Sequence, residues 1–94
     1  MKQLIIEETE NQLMEYVKKE IDDPLAILDI TTSGCLVLDS EYICDDIDCL
    51  EEFKVDHQNK YDIPTQVIFN RVISNCIEII KKVEILIYDL KKQG

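Results

Sequence analysis

The last third of the chain carries a hydrophobic repeat that restricts what the rest can be. Phe69, Ile73, Cys76, Ile80, Val83, Ile87 and Leu90 follow one another at spacings of 4, 3, 4, 3, 4 and 3. This is a heptad seam held for three heptads, and an α-helix is the structure that brings such positions onto one side. Val72, Ile79 and Leu86 widen the seam on one flank and Ile68 extends it. The apolar sector then covers roughly half the circumference, too broad for the narrow stripe of a two-stranded coil, so the helix must touch more than one neighbour. The spacing predicts a helix from Pro64 to about Lys92, about 40 Å long at 1.5 Å per residue.

The earlier segments are shorter. In residues 2–21, Ile6, Leu13, Met14, Val17 and Ile21 recur at helical spacing among Glu and Lys, which predicts a helix of about 30 Å. Asp22-Asp23-Pro24 ends it, because the residue before a proline avoids helical dihedrals. Ser40 is a candidate N-cap for a third element of about 20 Å running to about Phe53 or a little beyond, with Ile43, Ile47, Leu50 and Phe53 on its inner side. Residues 54–63 lose the pattern and read as a loop leading to Pro64.

Residues 25–39 admit two readings. In one, two short apolar runs form a β-hairpin around a Thr31–Gly34 turn. In the other, Asp23 caps a short helix that starts at Pro24 and stops at Gly34. Ile30-Thr31-Thr32-Ser33 is poor helix material and Leu36-Val37-Leu38 is short and continuous, which favours the hairpin.

The expected architecture is a mainly α single domain, a small helical bundle spanning residues 1–94 with one long C-terminal helix. Ninety-four residues are too few for two domains. With 46% hydrophobic residues, 2 Gly and 2 Pro, the chain falls outside the disordered and low-complexity classes. Neither shorter helix can cover the long one by itself. Either the shorter elements lie end to end along it or a second copy supplies the missing surface. Self-association is favoured, with Phe69, Ile73, Ile80, Val83 and Ile87 as the oligomer interface.

Twenty acidic residues stand against ten basic ones, a formal charge of -10. Residues 1–62 hold 17 acids and 5 lysines, net -12, and residues 63–94 hold 3 acids and 5 bases, net +2. Phosphate backbones and anionic membranes repel such a chain, so direct nucleic-acid or membrane binding is not expected and a basic protein partner is. The densest acidic run, Asp39 to Glu52, has seven acids and no base. At about 100° per residue, Glu41, Asp45, Asp48 and Glu52 gather on the side opposite the apolar residues of the third element. Like charges at i+3 and i+4 oppose helix formation by a few tenths of a kcal/mol per pair, a cost that neutral residues would avoid. These four are the candidate partner-binding strip.

Tests for chemistry are negative. The N-terminal apolar run of three residues is too short for a secretory signal, and the charges within Val67 to Leu90 each cost about 2.5–3.5 kcal/mol near a bilayer centre. A cytoplasmic setting is expected, with Cys35, Cys44, Cys49 and Cys76 as free thiols. Cys44 and Cys49 are five apart with no paired Cys-x-x-Cys to hold zinc, and Cys76 belongs to the seam. Asp46-Ile-Asp48 lacks the glycine and spaced glutamate of a calcium loop. His57, the single histidine, reads as plain surface rather than the base of a cysteine nucleophile. No cofactor, metal or enzymatic activity is expected. Arg71, Lys81, Lys82, Lys91 and Lys92 could gather between subunits around a small anionic ligand such as a nucleotide, or simply balance the helix dipole.

In composition alone, the chain resembles phage-encoded inhibitors of host defence, immunity proteins and nucleic-acid mimics. That resemblance lends no site residues. It implies a viral protein that inhibits a basic or nucleic-acid-binding partner by occlusion, the alternatives being an oligomeric assembly module or an oligomeric binder of a small anion.

Overall fold

The computed structural model describes residues 2–39 and 42–93. Its elements are α1 (Lys2–Glu20), α2 (Pro24–Thr32), α3 (Ile43–His57) and α4 (Ile63–Gln93), and none of the described residues lies in a strand. At 1.5 Å per residue the 31 residues of α4 span about 46 Å, which matches the 47 Å long axis of the molecule. α4 is therefore the spine, with a bundle built around it.

Helices α1 and α3 both run antiparallel to the spine. Asn75 Nδ2 donates to the Tyr16 hydroxyl at 2.6 Å and Arg71 meets Glu20 at 3.7 Å, so α1 descends as α4 ascends. On the other flank Lys54 Nζ donates to the Ser74 hydroxyl at 3.2 Å, while Ile43 lies beside Ile87 and Tyr88. The broad apolar sector is thus shared between two helices of the same chain.

This arrangement corrects the interface expected from the sequence. Phe69, Ile73 and Ile80 are 0% exposed, and Val83 and Ile87 are also buried. They form one core with Ile6, Leu13 and Val17 of α1 and Ile47, Leu50 and Phe53 of α3. The shorter helices lie side by side rather than end to end and cover Phe69, Ile73, Ile80 and Val83 within one chain, while buried Ile87 also borders a groove between the start of α3 and the end of α4. Thr9 interrupts the buried row of α1, and its hydroxyl is satisfied by the Ile5 carbonyl at 2.7 Å.

The hairpin expected at residues 25–39 is also absent. Residues 24–32 are helical, with the Asp23 carboxylate accepting the Leu25 N–H at 2.9 Å and Pro24 at the start of the helix. The boundary signals outweigh the poor propensity of the Thr-rich end because Ala26 and Ile30 are driven into the core. Thr31 and Thr32 return their hydroxyls to carbonyls one turn back, which removes their competition with the backbone. Gly34, at φ 80°, turns the chain out of this helix, a conformation open to glycine without strain.

α3 begins at Ile43 with Tyr42 in the capping position; the Ser40 cap expected from the sequence lies outside the described residues. Its end is a further correction: residues 54–57, read as loop, continue the helix. His57 stacks on Phe53 with ring centroids 4.1 Å apart and 24° between planes, and Lys54 and His57 in the last turn suit the negative end of the helix dipole.

Candidate functional site

α3 exposes its acids because its apolar residues are fixed inward. Ile43, Ile47, Leu50 and Phe53 are buried, which leaves Asp45, Asp48 and Glu52 on the solvent side, all three exposed. Glu41, the fourth expected member, lies outside the described residues. Asp56 takes a place in the row, and the sequence reading missed it by ending the helix about one turn early. Asp45, Asp48, Glu52 and Asp56 fall within about 80° of one another and extend about 16 Å along the axis.

No described lysine or arginine forms an ion pair with any of these four; the pairs present are Lys60–Asp29, Arg71–Glu20 and Lys81–Glu78. Glu51, Glu52, Val55 and Asp56 line a shallow depression at the far end of the strip. Exposed Val55 is the one apolar side chain among them. The arrangement can attract cations and polycationic surfaces.

Asp46 plays a different part from its neighbours. It is half-buried, and its Oδ2 accepts the Asp39 N–H at 2.8 Å while Glu10 of α1 accepts the Leu38 N–H at 2.8 Å. The two carboxylates clamp the loop after α2 onto α1 and α3. Burial raises the Asp46 pKa above the ordinary carboxylate value, and the nearby acids Asp39, Asp45 and Glu10 push it the same way; the Asp39 N–H opposes them. Asp46 therefore belongs to the fold rather than to the exposed acidic row.

The cysteines are four free thiols. Cys76 is sealed in the core, and burial pushes its pKa up to about 12. Cys35 and Cys49 face each other across the loop–α3 contact. The hydrogen bond its thiol donates to Cys35, followed by burial and the nearby charges of Cys35, Asp46 and Glu52, pushes Cys49 up to about 11, which leaves it scarcely any thiolate at neutral pH. His57 is half-buried rather than plain surface, with its Nδ1 3.0 Å from the Phe53 carbonyl. Among the described residues, no group of three or more His, Cys, Asp or Glu side chains is placed to hold a metal ion. No described helix is long and apolar enough to cross a membrane.

The basic residues of α4 are dispersed. Arg71 and Lys81 pair with Glu20 and Glu78, and Lys92 sits over the Tyr88 ring at 4.9 Å. Lys91 borders a groove of about 430 Å³ between the start of α3 and the end of α4, lined also by Ile43, Cys44, Glu84, Ile85, Ile87 and Tyr88. The sequence reading missed this groove, since Ile85 and Tyr88 lie outside the heptad seam and carry no motif.

Comparison with protein-family models, with curated proteins and with solved structures finds no match to this chain.

Proposed function

We propose that this chain is a non-enzymatic binding protein of the cytoplasm that occludes a basic or nucleic-acid-binding protein partner through the exposed acidic face of α3. The observation that carries the reading is the row Asp45, Asp48, Glu52 and Asp56, exposed and without ion-pair partners among the described residues. Such a row raises the local concentration of a cationic surface and accelerates its association. The mechanism is steric and electrostatic: the helix presents fixed negative charge at intervals of about 4.5–6 Å, and the bound partner loses access to phosphates that would occupy the same cleft. The compositional likeness to viral inhibitors and nucleic-acid mimics agrees with this reading.

The test is affinity capture from the native host with wild-type chain and with the triple charge reversal Asp45→Lys, Asp48→Lys and Glu52→Lys. A partner that is basic, is lost on reversal, and weakens between roughly 0.05 and 0.5 M salt supports the reading. A partner retained through both changes sinks it.

A further inference from the structure

The groove at the tip of α3 and α4 leaves two large apolar side chains exposed. Ile85 is 62% and Tyr88 59% exposed, and both border it together with Cys44. Apolar side chains grouped at a groove mark an interaction surface. Its rim adds a charge pattern that specifies what fits. Glu84 and Lys91 lie on the same helical row two turns apart and both line the groove, and neither has an ion-pair partner among the described residues.

From these features we infer that the groove is the contact surface of a two-fold symmetric dimer of this chain, with the ends of two α4 helices packed antiparallel. A two-fold interface requires one patch to be complementary to itself. Glu84 and Lys91 are equidistant in sequence from the midpoint between Ile87 and Tyr88. Crossing two copies at that point sets each Glu84 against the Lys91 of the other copy and brings the Tyr88 rings together at the axis. A partner of uniform charge would meet one favourable and one unfavourable rim residue, whereas a second copy satisfies both. The net charge of -10 per chain opposes the dimer, so it strengthens as salt screens that repulsion. The inference does not depend on the partner proposed above, since none of Asp45, Asp48, Glu52 and Asp56 lines the groove.

The experiment is sedimentation of the purified full chain from about 5 to about 500 µM, with circular dichroism as the control for folding. The wild type is expected to shift toward twice its 11.0 kDa mass across that range. Tyr88→Asp and Ile85→Asp are expected to hold it monomeric with unchanged helicity, because both side chains are exposed. Glu84→Lys alone and Lys91→Glu alone each weaken the dimer, and the double swap restores it. A wild type monomeric throughout overturns the inference. So does a dimer indifferent to Tyr88→Asp and Ile85→Asp, or a double swap no better than the single ones.

Discussion

The Tyr61 hydroxyl donates to Asp29 Oδ2 at 2.7 Å, and Lys60 Nζ reaches the same oxygen at 2.8 Å. The pair joins α2 to the connection between α3 and α4, two segments about thirty residues apart in sequence. Tyr61 also packs its ring against Phe69, with centroids 5.0 Å apart, so one side chain closes the end of the core and anchors α2. Tyr61→Phe keeps the ring and removes one hydrogen bond to a charged acceptor. It is expected to cost about 1.5–3 kcal/mol, read from urea unfolding.

The same contact sets an acid limit. The Lys60 hydrogen bond, helped by Tyr61 and by the charges of Lys60 and His57, holds the Asp29 pKa below its ordinary value against some desolvation. A carboxylate with a depressed folded-state pKa contributes stability that is present above the unfolded value of 3.8 and lost as pH falls through the folded one. Thermal unfolding of Asp29→Asn is expected to show a smaller loss of Tm than wild type on titration below pH 4.

Asp46 works in the opposite direction. Its folded-state pKa is raised, so the native state binds its proton more tightly than the unfolded chain does. The corresponding stability is present below the unfolded value and lost as pH rises through the folded one. Asp46→Asn keeps an oxygen to accept the Asp39 N–H. It is expected to remove this part of the slope and to unfold at a higher Tm than wild type at pH 7.

Ile80 separates a core from an interface. It is 0% exposed within one chain, so Ile80→Ala is expected to lower unfolding free energy by about 2–5 kcal/mol. Sedimentation of the folded fraction is expected to be unchanged. A variant that dissociated while keeping its stability would instead return the heptad seam to the role of an assembly surface.

Thiol chemistry reports the packing directly. Cys44 and Cys49 are both exposed, but the Cys49 thiol is pushed up to about 11, and buried Cys76 to about 12. Titration of native protein with a thiol reagent at pH 8 is expected to give one fast equivalent that Cys44→Ser abolishes. Cys76 is expected to react only on addition of denaturant.

The helices were legible where a long periodic pattern governed burial, as in α1 and α4. Residues 24–32 show why shorter ones were not. Their boundary signals pointed to a helix and their propensities to strands, and the decision came from Ala26 and Ile30 meeting a core contributed largely by α1. His57 makes the same point for α3, because the stacking on Phe53 that extends the helix follows from packing rather than from pattern. In the acidic strip, Asp45, Asp48 and Glu52 could be placed from angular arithmetic alone. Asp56 could not, since it depended on where the helix stopped. The groove beside Ile85 and Tyr88 left no sequence signal at all: it arises from how α3 starts relative to α4.

That α1 and α3 each lie along α4 bears on how the molecule is made. Tyr16 finds its partner 59 residues downstream in Asn75, and the seam that both shorter helices bury against is synthesised after both of them. A nascent polypeptide emerging from the ribosome must therefore hold two amphipathic segments open to solvent until α4 is released. In that interval chaperone capture and proteolysis compete with folding.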